Sequence, residues 1–227
     1  MIGIILLVVS WLLLRLEKKN LTAIGFNKPA QRSLELAAGI LVAALFCIAQ
    51  NGSLALAGSF SWKLNPDYNF TLAIESLRWV FNSVIYEELL FRGYFLYKAI
   101  QYLGPKTGCI ISAVAFGIYH WFSYEVFGQP TTMVYVFILT AIPGLMFSYA
   151  FFKTQSIILP IGLHLGWNIA NIMVFSKGPV GKQLLLAEPA NAVESINEWT
   201  ALGINLVIPL LLPLLVMLFL KYSSKYR

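Results

Sequence analysis

The stretch YEELLFRGYF, residues 86–95, places two adjacent carboxylates, Glu87 and Glu88, and the guanidinium of Arg92 inside a strongly apolar run. That run covers residues 71–100 and reads TLAIESLRWVFNSVIYEELLFRGYFLYKAI. Apolar runs of about 20 residues predict membrane-spanning helices. A charge near the centre of a bilayer costs about 2.5–3.5 kcal/mol on insertion scales. The three charges must therefore be compensated inside a bundle of helices.

The composition places the whole chain in the membrane. Of 227 residues, 59% are hydrophobic and 11% are charged, whereas soluble domains carry roughly 25% charged residues. We expect an all-α, polytopic bundle of seven to eight transmembrane helices forming a single domain, 1–227, with a catalytic core at 71–175. The apolar segments lie near 2–15, 34–57, 71–97, 108–124, 132–152, 156–175 and 201–220. The third segment would yield an eighth helix if it divided into a span and an interfacial extension, and the first is short for a full span.

The net charge of +6 indicates membrane topology rather than nucleic-acid binding. With the N-terminus outside, one face collects Arg15, Lys18, Lys19, Lys28, Arg32, Lys98, Lys106, Lys153, Lys221, Lys225 and Arg227. The other face keeps Lys63, Lys177 and Lys182. Because basic residues accumulate in cytoplasmic loops, we expect a multi-pass protein of the plasma membrane with its C-terminus in the cytoplasm.

Spacing separates the two glutamates. Glu88 and Arg92 are four residues apart, so they share a helix face and can pair. Glu87 points about 100° away around the helix and lacks that partner. An intramembrane carboxylate without a local partner is a candidate functional residue, while Glu88 and Arg92 form a structural ion pair in this interpretation.

The only two histidines of the chain, His120 and His164, also lie in apolar segments. His120 follows the Gly104–Pro105 turn by nearly as many residues as Glu87 precedes it. In an antiparallel helical hairpin, equal distances from the turn mean equal depth, so Glu87 and His120 are predicted to face each other. His164 and Asn168 stand four residues apart and can aim two hydrogen-bond donors at one place. Cys47 and Cys109 form no disulfide framework or metal signature.

These residues resemble the CPBP family of intramembrane proteases, also called the Abi or CAAX-protease family, which includes CAAX prenyl endopeptidases of the Ras-converting type. The family pattern is EExxxR, FxxxH and HxxxN on separate helices, matched here by Glu87, Glu88 and Arg92, by Phe116 and His120, and by His164 and Asn168. The resemblance implies a cavity within the membrane, reached from the cytoplasm or laterally from lipid. It also implies endopeptidase activity on a membrane-associated substrate, such as a prenylated CAAX-type protein or a leader peptide. The expected partners are the lipid bilayer and this peptide or membrane-anchored protein, with no nucleic acid.

The resemblance also assigns roles. Glu87 and His120 would activate a water molecule, His164 and Asn168 would stabilise the oxyanion, and Glu88 with Arg92 would hold the helices. Glu87, His120 and His164 are alternatively the three ligands of a divalent metal such as zinc. The chain has no HExxH helix, and Asn168 suits an oxyanion better than zinc. The sequence therefore favours catalysis without a cofactor.

Two other functions use the same residues. A catalytically inactive membrane partner of a sensor or transporter would be expected to lose motif residues, and this chain keeps them all. A transporter could use Glu87 and the histidines as a proton relay. Such a relay would not require Asn168 in register with His164, and the sequence shows no repeat of broken helices.

Overall fold

A computed structural model describes residues 2–176 and 178–223. Its helices are α1 (Ile2–Leu16), a 3-10 helix (Leu21–Ile24), α2 (Pro29–Gly58), α3 (Phe70–Arg92), α4 (Tyr94–Ser123), α5 (Pro130–Thr154), α6 (Ile158–Asn168), a π-helix (Ile169–Phe175) and α7 (Glu198–Tyr222). Two short strands, β1 (Ser61–Leu64) and β2 (Leu185–Glu188), complete it. Lys177, Lys225 and Arg227, which contribute to the predicted charge distribution, lie outside the described residues.

Helices α3 and α4 form the hairpin that carries the first two motifs. The helical conformation is interrupted at Gly93, between α3 and α4. This interruption divides the third apolar segment, as the length of that segment had suggested. The chain then reverses at Gly104, whose φ of 80° lies in the left-handed region that favours glycine. Beyond this turn, residues 105–123 run back along the first arm. A side chain at Gly108 would collide with the backbone of Ile100, so the glycine permits the close approach.

Four helical segments are long and apolar enough to cross a membrane, namely Leu21–Gly58, Pro130–Thr154, Ile158–Phe175 and Glu198–Tyr222. The chain is therefore an integral membrane protein. The expected count of seven to eight transmembrane helices is not confirmed. At 1.5 Å per residue, α1 is roughly 22 Å long, shorter than the hydrocarbon core of about 30 Å. Helix α3 carries five charged side chains, and α4 is broken at Gly104.

The all-α prediction misses a small antiparallel sheet outside the bundle. Strands β1 and β2 pair with Ser61 opposite Glu188 and Leu64 opposite Leu185. Each strand has four residues, which is too short for a recognisable alternation of polar and apolar positions. Trp62 anchors the sheet to the helices by packing edge-on against Phe175, 5.0 Å away.

The bundle has two ends, the sheet face and the basic face. The sheet face consists of residues 58–70, 123–130 and 178–198. The basic face consists of residues 15–32, 93–107, 153–158 and 221–223. Contacts such as Lys98 with Glu17 (2.9 Å) and the Ile157 amide with the Ile24 carbonyl (3.0 Å) join the segments of the basic face.

Helices α2 and α6 approach each other almost at backbone contact. Gly162 and Gly166, one turn apart on α6, face α2, and a side chain at either would collide with the Leu36 or the Ile40 carbonyl oxygen. Small residues at this spacing allow membrane helices to pack closely. Between them in sequence lies His164, so the α2–α6 contact fixes the height of this histidine in the bundle.

Candidate active site

Glu87 is buried on α3, and its two oxygens have different surroundings. Its Oε1 accepts a hydrogen bond from Ser83 Oγ at 3.1 Å. Its Oε2 is buried and has no hydrogen-bond partner in the described part of the chain. This oxygen lies 4.0 Å from His120 Nε2 and 3.8 Å from His164 Nε2. The structure thus brings the carboxylate of α3 together with histidines from α4 and α6, as the hairpin argument predicted for Glu87 and His120.

In each histidine, the hydrogen-bond partner of Nδ1 determines whether Nε2, which faces Glu87, is a donor or an acceptor. His120 Nδ1 lies 2.7 Å from the Phe116 carbonyl oxygen, which can only accept a hydrogen bond. His164 Nδ1 lies 2.9 Å from Glu88 Oε1, which also accepts when ionised. Both rings therefore carry hydrogen on Nδ1. In its neutral form, each presents the lone pair of Nε2 towards Glu87.

Glu88 and Arg92 form the predicted ion pair at 3.1 Å, and neither side chain is exposed. Arg92 Nη2 also donates to the Gly144 carbonyl oxygen at 3.0 Å, which ties α3 to α5. The guanidinium lies over the Phe116 ring at 4.1 Å from its centroid. Because Glu88 Oε1 also accepts from His164, it joins the structural pair to the histidine, a contact that the linear spacing did not predict.

The cluster lacks one positive charge. Glu87 and Glu88 bring two carboxylates, and Arg92 brings one guanidinium. Around Glu87 Oε2, moreover, three acceptor atoms converge without a hydrogen between them when both histidines are neutral. Buried charges need compensation. One further proton, carried by Glu87 or by a histidine, or one bound cation would balance the charge and place a hydrogen or an ion among the acceptors.

Aromatic rings fix the orientation of the two imidazoles. The Phe147 ring stacks on His164 with centroids 5.0 Å apart and an interplanar angle of 18°. Phe116 packs edge-on against His120 at 4.5 Å and against His164 at 5.9 Å. The phenylalanine of the FxxxH motif therefore contacts both histidines and Arg92.

A cavity of about 480 Å³ connects these groups. Glu87, His120, His164 and Asn168 all line it, so the structure places the four candidate catalytic residues at one site. Sequence reasoning missed other lining residues, including Gln50, Ser83, Tyr124, Phe147, Asn171 and Asn205. Ser83 was detectable as a hydroxyl one turn before Glu87. Gln50, Asn171 and Asn205 were detectable as amides in apolar segments, whereas Phe147 left no signal.

The cavity extends in one direction only. Its lining includes Ser123, Tyr124, Gly178 and Pro179 of the sheet face and no described residue of the basic face. Access from the cytoplasm or laterally from lipid, as the family resemblance implies, stays a prediction, and so does the orientation of the two faces.

The geometry around Glu87 is wider than that of a formed metal centre. The described residues contain no group of three or more His, Cys, Asp or Glu side chains placed to hold a metal ion. Ligand atoms at about 2.0–2.1 Å from a tetrahedral zinc ion lie roughly 3.3–3.4 Å apart, and the separations here are 3.8 and 4.0 Å. The donor types nevertheless suit zinc, and both Nδ1 atoms are anchored as in many zinc sites.

Residues 69–170 match the sequence model of a family described as Rce1-like, type II CAAX prenyl endopeptidase Rce1-like. The match covers somewhat less than half of the chain and includes all three motifs. No curated protein and no solved structure matches the chain significantly.

Proposed function

We propose that the protein is an intramembrane endopeptidase with Glu87 as its catalytic base, on the premise that residues 69–170 match the model of the Rce1-like family of type II CAAX prenyl endopeptidases. One observation carries the proposal. Glu87 Oε2, without a hydrogen-bond partner among the described residues, faces the Nε2 atoms of two anchored histidines inside a cavity. We place the catalytic core at residues 71–175 and the protein in the plasma membrane.

Hydrolysis of an amide needs an activated water molecule, a stabilised oxyanion and a proton for the leaving amine. Glu87 Oε2 and His120 Nε2 are acceptors 4.0 Å apart, so one water molecule between them can donate a hydrogen to each. As the water oxygen attacks the carbonyl carbon, Glu87 takes its proton. Glu87 then returns this proton to the nitrogen as the C–N bond breaks, leaving a carboxylic acid and an amine.

The charge balance of the cluster assigns His164 its role. A proton on His164 Nε2 supplies the missing positive charge, and the ionised Glu88 beside Nδ1 stabilises it. The protonated ring then donates to the oxyanion together with the side-chain amide of Asn168. Each such donor is typically worth about 10²–10³ in rate. In this mechanism Glu88 pairs with Arg92, orients the ring of His164 and stabilises its protonated form.

A divalent cation such as zinc is the alternative source of the missing charge. Glu87, His120 and His164 would hold it after small movements that close the separations of 3.8 and 4.0 Å. A bound ion would acidify the water and polarise the substrate carbonyl. We favour the mechanism without metal because Asn168, a good oxyanion donor and a poor zinc ligand, lines the same cavity.

Substrates can be identified by comparing membrane proteomes. Cells producing the wild type and Glu87→Gln would be compared by quantitative sequencing of new peptide termini in their membranes. Glu75→Gln is a matched control, since Glu75 is an exposed carboxylate on the same helix. We expect a set of termini with the wild type and the control that disappears with Glu87→Gln. Identical termini in all three would overturn the proposal and favour an inactive membrane partner or a proton relay.

Metal dependence needs a separate experiment. Purified wild type would be treated with a chelator, assayed on a peptide that spans a cut site, and analysed for bound metal. We expect cleavage to persist with substoichiometric metal. Loss of cleavage that zinc restores would instead make Glu87, His120 and His164 metal ligands, and the protein would remain a protease.

A further inference from the structure

We infer that the backbone carbonyl oxygens of Leu139 and Asn205 bind two N–H groups of an extended substrate segment. Each carbonyl lies one helical turn before a proline inside its helix, Pro143 in α5 and Pro209 in α7. This role rests on the proposed endopeptidase function and is the same for either orientation of the protein in the membrane. It concerns the atoms that hold the substrate beside the catalytic groups.

Prolines inside helices leave backbone acceptors without their usual donor. In an α-helix, the carbonyl of one residue accepts a hydrogen bond from the amide four residues later, and proline has no amide hydrogen. Pro143 therefore removes the helical donor to the Leu139 carbonyl. Pro209 removes the helical donor to the Asn205 carbonyl in the same way.

Other carbonyls of α5 receive additional donors from side chains. The Thr140 hydroxyl donates to the Val136 carbonyl oxygen at 2.7 Å. Ser148 Oγ donates to the Gly144 carbonyl oxygen at 2.9 Å. No side chain in the described part of the chain donates to the carbonyl of Leu139, although its helical donor is missing. A backbone acceptor within a membrane needs a partner unless it lines a cavity, so a ligand in the cavity can supply the donor.

Both carbonyls lie on the cavity side of their helices. Lining residues of α5 and of α7 are three or four residues apart, so on each helix they form one stripe. They include Val136, Leu139 and Pro143 on α5 and Asn205, Pro209 and Leu212 on α7. Each carbonyl points along its helix towards the proline one turn later, and therefore opens between two lining residues. Met146 of α5 and Leu212 of α7 belong to one packed apolar cluster, so the two helices form a continuous wall.

A peptide in this cavity has N–H groups that the catalytic residues do not bind. In the proposed mechanism, His164 and Asn168 donate to the scissile carbonyl, and Glu87 and His120 accept from the water molecule. The N–H groups on either side of the scissile bond still need acceptors, because an unsatisfied polar group in an apolar cavity costs free energy. The carbonyls of α5 and α7 can accept from two of them. Main-chain hydrogen bonds of this kind hold extended segments of different sequence.

The acceptors can be tested with substrates that lack one N–H group at a time. A labelled peptide spanning a cut site from the proteome comparison would be made as a series, with an ester oxygen replacing each non-scissile N–H in turn. Binding to purified Glu87→Gln in detergent would be measured by fluorescence anisotropy, which requires no cleavage. We expect two positions at which the ester raises Kd about 2- to 10-fold, as for the loss of one hydrogen bond. The other positions control for the weaker carbonyl of an ester.

Proline substitutions in the Glu87→Gln protein identify the partner of each N–H group. In Pro143→Ala, the new amide can bond to the Leu139 carbonyl. The parent peptide should then bind about 2- to 10-fold more weakly, and the ester at one of the two positions should have no further effect. Pro209→Ala should do the same for the second position. Pro213→Ala is the matched control, because Pro213 lies one turn further along α7, outside the described cavity lining, and it should change neither value.

The outcomes separate this binding role from the proposed function. If wild type cleaves the parent peptide but no ester weakens binding more than the others, the binding role is overturned and the protease function stands. An equal loss of binding with Pro213→Ala would also overturn it. Absence of any cut peptide would overturn both together. The ester series changes nothing in α5 or α7, so it decides the question even where a proline variant does not fold.

Discussion

Two buried pairs of arginine and glutamate connect helix α5 to its neighbours, and the pair of Glu88 and Arg92 contacts His164 and Phe116, which line the cavity. In the first, Arg32 of α2 contacts Glu35 at 2.6 Å and donates to the Thr154 carbonyl oxygen at 3.2 Å. In the second, Arg92 of α3 contacts Glu88 at 3.1 Å and donates to the Gly144 carbonyl oxygen at 3.0 Å. Each arginine therefore joins a carboxylate one turn away to the backbone of α5.

The neighbours of the two pairs differ in kind. The partners of Arg32 and Glu35 include the side-chain amides of Asn27 and Gln31, which do not ionise at neutral pH. Around Arg92 and Glu88, the additional groups are a histidine and a second carboxylate, and Glu87 Oε2 has no hydrogen-bond partner among the described residues. A buried ion pair alone is therefore a structural feature. It becomes part of a candidate active site where titratable groups and unsatisfied acceptors meet a cavity.

The strongest test of this distinction replaces one carboxylate in each cluster. Glu87→Gln keeps the shape and removes the base, so cleavage should fall by about 10²–10⁴ or to background. Its melting temperature should change little, because the amide keeps the size of the side chain and its oxygen can still accept the hydrogen bond from Ser83. Glu35→Gln should lower the melting temperature and leave cleavage per folded molecule near the wild-type value. Equal losses of cleavage in the two variants would erase the distinction.

The arginines should differ in their contribution to stability. Arg92→Ala leaves Glu88 buried without its guanidinium, which costs roughly 3–5 kcal/mol. For a protein of this size, that corresponds to a fall in melting temperature of roughly 6–20 °C. Arg32 is 8% exposed and Arg92 is fully buried, so Arg32→Ala should cost less. Thermal unfolding in detergent measures both. A stable but inactive Arg92→Ala would move Arg92 from the structural pair to the catalytic group.

A smaller effect is expected from a single oxyanion donor. Asn168→Ala removes one of two proposed donors, so cleavage should fall by about 10²–10³ and remain measurable. Asn51→Ala removes an amide that bonds within α2, away from the cavity lining, and should leave the rate unchanged. Rates would be compared at saturating peptide. A fall to background with Asn168→Ala would show that Asn168 does more than donate one hydrogen bond.

The smallest effect is expected at the partly buried ion pair of Glu17 and Lys98 at the basic face. Hydrogen bonds from the Tyr94 hydroxyl and then the Lys98 ammonium lower the pKa of Glu17 from 4.5 to about 2. A lowered folded-state pKa means that the ionised form stabilises the fold at neutral pH. This contribution is complete above about pH 4.5 and is lost as the pH falls towards 2. Glu17→Gln should therefore lower the melting temperature slightly at pH 7, with a difference that shrinks below pH 4. A constant difference would contradict the titration of Glu17.

Local spacing was sufficient to predict part of the site. The Glu88–Arg92 pair follows from helix periodicity, and the meeting of Glu87 with His120 follows from their nearly equal distances along the chain to Gly104. The approach of His164 to Glu88 depends on the close α2–α6 packing at Gly162 and Gly166, and pattern analysis of one segment does not contain it. The sheet was missed because β1 and β2 join segments more than a hundred residues apart. The direction of the cavity depends on how six helices pack together.

The hairpin at Gly104 also determines where the chain can change in length. A side chain at Gly104 would have no neighbour within 4 Å, so residues inserted at this tip would extend into open space. An insertion of one residue between Pro105 and His120 would instead rotate the imidazole by about 100° around the helix axis and shift it by about 1.5 Å along that axis. Homologous chains should therefore vary in length at the tip and keep the number of residues along both arms constant. Fusion tags and reporter loops belong at the same tip.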